Sequence, residues 1–127
     1  MPHANSDQLA RDLLDWNRRH LLHDAVLSEA VIGEKFAPAF TICANGRVHP
    51  ATHTNYLEFL NGFRATIAAI DYAVHRTITE GASTVLAMTA TVRRIDGSIE
   101  CFEAMLLLAF DAQGLVTLWH EVYLKTE

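Results

Sequence analysis

The chain contains few of the residues that mark several large classes of protein. It has two cysteines in 127 residues, and its 10 Lys and Arg residues are outnumbered by 15 Asp and Glu, which gives a formal charge of −5. Two cysteines are too few for a disulfide framework. An acidic balance also argues against a nucleic-acid backbone as partner, because such binding requires clustered basic side chains. We therefore expect no nucleic-acid partner.

Long apolar runs are missing as well. Charged side chains interrupt every apolar stretch before it reaches the roughly 18 residues that a membrane-spanning helix needs. Residues 1–12 lack the basic and then apolar order of a secretory signal. The sequence therefore predicts no association with a membrane and a location in the reducing cytoplasm.

Patterns that would hold a cofactor or a metal are also lacking. The six glycines occur singly, so there is no glycine-rich phosphate loop. His20, His23 and Asp24 have a helical spacing that can bring metal ligands together. However, the apolar stripe of the first predicted helix directs His20 inward, and a break at His23-Asp24 would spoil the geometry. We expect neither a cofactor nor a metal.

Half of the residues are apolar, and this is enough for one core. A chain of this size buries about two-thirds of its unfolded surface and so needs no disulfide or structural metal. The sequence contains no repeat, low-complexity tract or linker. We predict a single domain spanning residues 1–127.

The first half of the chain has the periodicity of helices. In two segments an apolar residue recurs every three or four positions, as on the buried face of a helix. The first helix is predicted to begin at Ser6 and to end near Leu22. A second is predicted at residues 25–36, and a third from Thr52 or Thr54. The buried stripes are Leu9, Leu13, Trp16 and His20 in the first helix, and Tyr56, Leu60, Phe63 and Ile67 in the third.

A short strand is predicted between the second and third helices, at residues 40–44. Asn45-Gly46 favours positive φ and predicts a turn at its end. We expect His49-Pro50 to prolong the loop that follows.

The second half has the pattern of strands. Four strand-like runs occupy residues 71–79, 83–94, 99–110 and 115–124. Glycine-containing turns separate them, which predicts an antiparallel meander. Residues 104–110 are apolar at odd-numbered and even-numbered positions alike, so both faces of this strand should be covered. A second copy of the chain is the simplest cover, and we predict a homodimer.

This order of elements resembles the nuclear transport factor two-like superfamily. Three local motifs are similar to those of the family: Phe36-Ala-Pro-Ala-Phe40, Phe59-Leu-Asn-Gly-Phe63 and Phe110-Asp-Ala-Gln-Gly114. The resemblance runs from Leu9 to Leu124. It implies a cone-shaped α+β fold in which three N-terminal helices pack on a curved, mostly antiparallel sheet around an apolar cavity. Within the superfamily the chain looks most like the SnoaL-like group of polyketide cyclases, ketosteroid isomerases and limonene-type epoxide hydrolases.

The site residues of the isomerases are not matched in this sequence. Those enzymes use a carboxylate base near the end of the first strand, together with a tyrosine and a protonated aspartate that form an oxyanion hole. The corresponding positions here are Ala44, His20 and Leu106. We do not expect steroid-type isomerisation by that set of residues.

The epoxide hydrolase pattern is matched in part. Trp119-His-Glu121 is similar to the Trp-x-Asp of the last strand in those enzymes, whereas their Arg-x-Asp pair falls on Thr89-Ala-Thr91. A threonine hydroxyl can position a substrate but does not supply a proton near neutral pH. The sequence therefore carries half of that machinery.

Glu121 is the leading candidate for chemistry. Strand alternation places Trp119, Glu121 and Tyr123 on one face, and the resemblance implies that this face lines the cavity. A carboxyl between aromatic rings in an apolar pocket favours its neutral form and suits a general acid or base. The alternative is that Glu121 is a satisfied hydrogen-bond acceptor or lies at an exposed rim.

Two histidines are candidate partners of Glu121. His20 lies on the buried stripe of the first helix, and the alternative for it is a hydrogen-bonded core histidine. His75 lies on a strand whose cavity-facing side the sequence does not fix. Candidate ligand-binding residues are Trp16, Phe40, Tyr56, Met88, Thr89, Thr91, Leu106, Trp119 and Tyr123.

The sequence thus predicts a SnoaL-like domain that binds a small hydrophobic or aromatic molecule. If it is an enzyme, we expect a cofactor-independent acid/base step of the cyclase, isomerase, hydratase or dehydratase type. The alternative is a non-catalytic ligand-binding module, or a dimeric accessory module, of the same fold.

Overall fold

The computed structural model describes residues 5–126, so residues 1–4 and 127 of the predicted domain lie outside the described range. The fold belongs to the predicted α+β class. Among the described residues, no helix is both long and apolar enough to cross a membrane. The elements are α1 Ser6–His20, α2 Glu29–Gly33, β1 Phe36–Ala44, β2 Arg47–Thr52, α3 His53–Arg64, β3 Ile67–Glu80, β4 Ser83–Arg94, β5 Ile99–Phe110 and β6 Val116–Thr126.

The strands form one curved sheet in the order β2-β1-β6-β5-β4-β3. Strands β3 to β6 pair as consecutive antiparallel neighbours, so the predicted meander is confirmed. Strand β1 pairs with β2 antiparallel and with β6 parallel. This single parallel contact joins the N-terminal half of the chain to the meander.

The predicted second helix over 25–36 is too long. Helix α2 contains five residues and begins after Ser28, whose hydroxyl accepts a hydrogen bond from the Val31 backbone N–H. Phe36 is extended instead, because its backbone pairs with Val116 in the sheet. Strand pairing over a long sequence distance overrides the weak local helical signal here.

The region predicted as a loop around His49-Pro50 is also different, because it forms strand β2. Asn45 and Gly46 have φ of 49° and 88°, and this tight turn folds the following residues back on β1. Pro50 has no backbone N–H to donate to a neighbouring strand. Strand β2 tolerates the proline because it lies at the edge of the sheet.

Side chains at the helix starts fix where the helices begin. Asn5, not Ser6, caps α1 by accepting a hydrogen bond from the Asp7 N–H. The Thr52 hydroxyl caps α3 by accepting a hydrogen bond from the Asn55 backbone N–H. The side-chain oxygen of Asn55 in turn accepts a hydrogen bond from the Thr52 backbone N–H, which completes a capping box.

The core lies between the helices and the inner face of the sheet. Helix α1 packs on β3, β4 and β5, and α3 packs near β1 and β2. Strand alternation directs every second residue of β4 and β5 inward, whereas Met105 and Val122 are exposed on the outer face. The largest fully buried side chains include Leu13, Trp16, Phe36, Leu86, Met88, Leu106 and Leu108.

We predict that Leu106→Ala destabilises the protein far more than Ile78→Ala. Leu106 is 0% exposed and Ile78 is 60% exposed. Creating a cavity at the buried position should lower the free energy of unfolding by about 3 kcal/mol, and truncation at the exposed position by less than about 1 kcal/mol. Urea denaturation measures both values. An equal loss in the two variants would contradict the close packing around Leu106.

Candidate functional site

A cavity of about 290 Å³ lies between the helices and the sheet, near the end where β1 and β6 pair. Its wall is mainly apolar and aromatic, and its mouth carries exposed rings. Within the described residues, Glu121 is the one carboxylate in this wall. Lining residues include Leu21, Ile42, Leu60, Ile70, Ala90, Val92, Phe102 and Trp119, with Phe59, Phe63 and Tyr123 at the exposed side.

Glu121 reaches the cavity through the alternation of β6. It pairs with the inward-facing Leu106 on one side and with Ala44 on the other. Its neighbours His120 and Val122 are exposed on the opposite face. The structure therefore places Trp119, Glu121 and Tyr123 together in the cavity wall.

Burial raises the pKa of the Glu121 carboxyl to about 7. The apolar wall removes water that would stabilise the charged form. Trp119 acts in the opposite direction, because the polar N–H of its indole favours the carboxylate. The Glu121 side chain also lines the cavity, so it can meet a bound molecule there.

Two tyrosines share the cavity with Glu121. Burial raises the pKa of both Tyr56 and Tyr72 far above the ordinary value, and the negative charge of Glu121 adds to both shifts. Both phenols therefore keep their protons throughout the physiological range. Asn17 Nδ2 donates a hydrogen bond of 3.2 Å to the Tyr72 hydroxyl oxygen. The Tyr72 O–H is consequently available as a donor toward the cavity.

Arg18 holds Tyr72 in place from the neighbouring position on α1. Its Nη2 donates to the Tyr72 carbonyl at 2.9 Å, and its Cζ lies 5.5 Å from the centre of the Tyr72 ring. Its Nε lies 2.6 Å from Asp71, and this hydrogen bond lowers the pKa of the Asp71 carboxyl. Consecutive residues of α1 thus fix the ring and the hydroxyl of Tyr72.

A charged cluster lies at another part of the cavity wall. Arg94 lines the cavity and contacts Glu100 at 2.7 Å, and Lys125 contacts the same carboxylate at 2.9 Å. Hydrogen bonds from Lys125 and Arg94 lower the pKa of Glu100. The charge of Arg94 is therefore already paired.

Several predicted ligand-binding residues lie in the packed core instead of the cavity wall. Trp16, Phe40, Met88 and Leu106 are 0–5% exposed and are not among the residues that line the cavity. They are correctly predicted to face inward, but the helices and the sheet already fill the space around them. The ring of Trp16 packs against Phe36 at 5.7 Å.

His20 is not brought to Glu121. Its ring centre lies 4.8 Å from that of Trp16, and it does not line the cavity. Burial lowers its pKa, and the charge of Arg19 adds to this effect. His20 is therefore partly exposed beside Trp16 and is not a partner of Glu121.

The expectation that Thr89 and Thr91 line the cavity is wrong. Inward positions of β4 are the even-numbered residues, so Ala90 and Val92 form the wall and the two threonines lie on the other face. His75 is exposed on that same face, where its Nε2 lies 2.7 Å from Thr89 Oγ1. It is therefore not a partner of Glu121.

Sequence reasoning missed Asn17 and Tyr72. A signal for Asn17 exists, since it lies between Leu13 and Leu21 at steps of four on the buried face of α1. A polar residue in such a stripe needs a partner.

Among the described residues, no group of three or more His, Cys, Asp or Glu could hold a metal ion.

We predict that Glu121→Gln stabilises the protein near neutral pH. The native state holds the Glu121 proton more tightly than the unfolded chain, so the contribution of Glu121 to stability is highest below the ordinary pKa and falls as pH rises to about 7. Glutamine removes this loss, which is about 2 kcal/mol near pH 8 after allowance for partial exposure. Chemical denaturation near pH 4 and near pH 8 measures it.

The matched control is Glu103→Gln, because Glu103 is exposed on β5 and lies outside the cavity. This variant should keep the wild-type dependence of stability on pH. A stability difference between Glu121→Gln and wild type that is the same at the two pH values would contradict the raised pKa of Glu121.

Comparison with known proteins identifies the fold. No family model and no curated protein matches the sequence. Among solved structures, a protein of Shewanella putrefaciens CN-32 described as a SnoaL-like polyketide cyclase superposes with a TM-score of 0.74 at 16% identity, covering 98% of this chain and 80% of that one. An epoxide hydrolase of the limonene type from M. tuberculosis gives 0.72 at 13% identity, covering 93% and 81%.

A third similar structure is SalBIII, an epoxide hydrolase/cyclase-like enzyme with a role in pyran ring formation in the polyether salinomycin. It gives a TM-score of 0.72 at 13% identity and covers 93% of this chain and 89% of that one. At such identities the similarity concerns the fold and not the reaction. The predicted resemblance is confirmed at that level: the chain has the fold of solved structures described as SnoaL-like and as nuclear transport factor two-like.

Proposed function

We propose that the protein binds a small apolar or aromatic molecule in the cavity and that Glu121 transfers a proton to or from it without a cofactor. The observation that carries this proposal is a carboxyl of pKa about 7 in an apolar wall. Near neutral pH both forms of such a group are populated, so one side chain can act as base and then as acid.

The surrounding groups suit a proton shuttle. Glu121 in its carboxylate form removes a proton from a carbon or a hydroxyl of the substrate and becomes neutral. Negative charge then develops on a substrate oxygen, which the O–H groups of Tyr72 and Tyr56 stabilise. The neutral carboxyl returns the proton at a second position of the substrate, and this step regenerates the Glu121 carboxylate. Isomerisation, cyclisation, hydration and dehydration all use this sequence of steps.

The position of Glu121 supports the isomerase-like part of this proposal. In the isomerases that the sequence resembles, the base lies near the end of the first strand, where this chain has Ala44. The register of the parallel pair places Glu121 directly beside Ala44, and both line the cavity. The carboxylate thus enters the same region from the neighbouring strand.

Binding without catalysis is the second candidate, and one observation favours it. The described part of the cavity wall contains a single carboxylate, and the inward positions of β4 beside it are Met88, Ala90 and Val92. Acid-assisted opening of an epoxide by a carboxylate pair therefore lacks its second member. A carrier or sensor would need only the apolar wall.

A probe reaction separates the two candidates. In 5-nitrobenzisoxazole, removal of one ring proton by a base breaks the N–O bond and yields a coloured cyanophenolate. We expect the wild-type protein to accelerate this reaction, with a rate that rises as pH passes through about 7. Glu121→Gln should lower the rate by about 100-fold, because a positioned base contributes that much.

Glu103→Gln is the control and should retain the wild-type rate, since Glu103 is exposed outside the cavity. Equal rates for wild type and Glu121→Gln, with the probe bound by both, would contradict a catalytic Glu121. They would favour the binding module. Native mass spectrometry of freshly purified protein, searched for a retained small molecule, gives the ligand in either case.

We further propose that the protein forms a homodimer through the outer face of the meander. Met105 and Val122 are opposite each other on β5 and β6 and are 57% and 58% exposed. Leu107 and Leu118 extend this apolar surface on the same strands and face. An exposed apolar patch of this kind marks an interaction surface.

We predict that Val122→Lys prevents dimer formation. A lysine in the centre of the apolar face would bury an unpaired charge, so sedimentation velocity should show the mass of one 14.1 kDa chain instead of two. Val48→Lys is the control, because Val48 is 63% exposed on the edge strand β2. Wild-type protein that is monomeric at micromolar concentration would refute the proposed dimer.

A further inference from the structure

A second space opens from the cavity toward the β1–β2 hairpin. Its volume is about 640 Å³, and we call it the outer pocket. It shares part of its wall with the inner cavity, so a molecule beside Glu121 can extend into it. The shared residues are Ile42, Ala44, Tyr56, Phe59 and Tyr123, and the polar residues of the outer pocket are Asn45, Arg47, His49 and Asn55.

The charge of the outer pocket is opposite to that of the whole chain. The chain has a formal charge of −5, yet no Asp or Glu is among the described residues that line this pocket. Arg47 is exposed there, and within residues 5–126 no carboxylate lies close enough to form an ion pair with it. This differs from Arg94, whose charge is paired with Glu100.

The asparagine beside Arg47 also presents donors. Asn45 Oδ1 accepts the backbone N–H of Tyr123 at 2.8 Å, which leaves the amide NH₂ of Asn45 for another partner. The positive φ of Asn45 and Gly46 fixes this turn. Asn55 differs, because its side-chain oxygen accepts the Thr52 N–H and its side-chain nitrogen donates to the Pro50 carbonyl. The free polar groups near Arg47 thus favour an acceptor with negative charge.

We propose that the outer pocket binds the carboxylate of an aromatic or apolar carboxylic acid whose ring occupies the inner cavity beside Glu121. This inference rests on the proposed function and names its substrate class. A guanidinium matches a carboxylate with two parallel hydrogen bonds. Ala44 pairs with Arg47 on one side and with Glu121 on the other, so strand β1 lies between the proposed carboxylate partner and Glu121.

A matched pair of ligands tests the inference. Naphthalene-1-acetate and naphthalene-1-acetamide have the same ring and differ in charge. Near pH 6 Glu121 is largely neutral. There we expect calorimetry to show that the acetate binds about fivefold more tightly than the acetamide, because a partly exposed ion pair contributes a free energy of that size. This preference should fall as salt is added.

Arg47→Met keeps the apolar stem and removes the charge. It should abolish the preference for the acetate and leave the affinity for the acetamide unchanged. Arg93→Met is the control, because Arg93 is exposed on the outer face of β4, and it should keep the preference.

The outcomes separate this inference from the proposed function. Equal binding of the two ligands by the wild-type protein, or a preference that survives in Arg47→Met, would overturn the carboxylate site while acetamide binding still supports the cavity. Failure of both ligands to bind at millimolar concentration would contradict the binding role of the inner cavity itself.

Discussion

The parallel pairing of β1 with β6 is the contact on which the rest of the structure depends. It joins residues 36–44 to residues 116–121, which are far apart in the sequence, and so attaches the β1–β2 hairpin and α3 to the meander. Two further hydrogen bonds tie the turn to β6: the Asn45 N–H donates to the Glu121 carbonyl and the Tyr123 N–H donates to Asn45 Oδ1. The pairing thereby sets the wall of both spaces and the position of Glu121 in the inner cavity.

Placing that carboxyl in an apolar wall costs stability above neutral pH, because the native state disfavours its charged form. The helices and strands around it are ordinary in their packing, and Tyr72 is held by Asn17 and Arg18. A strongly shifted pKa in a wall that is otherwise packed in the ordinary way is typical of functional sites, and this supports the proposed role of Glu121.

Much of the meander could be predicted from the sequence, since turn residues with glycine mark its ends and the observed bounds of β4 and β5 agree with 83–94 and 99–110. Strand alternation likewise predicted the shared face of Trp119, Glu121 and Tyr123. Helix α2 was predicted too long because the long-range pairing of β1 with β6 extends Phe36. Strand β2 was missed because Pro50 reads as a loop residue, whereas an edge strand of a hairpin tolerates it. Thr89 and Thr91 were expected in the cavity because the Arg-x-Asp pair of the epoxide hydrolases falls on them, but the even-numbered residues of β4 face inward. The contact of Asn17 with Tyr72 joins α1 to β3, and no local pattern reveals it.

Pro50 in β2 has a consequence for association between molecules. A sheet grows at its edges when a foreign strand finds an unbroken row of N–H and C=O groups. At one edge Pro50 removes a donor from β2, and at the other a register shift between Val74 and Arg76 interrupts β3. Both borders are therefore poor templates for a further strand, which disfavours the stacking of copies into a continuous fibrillar ladder.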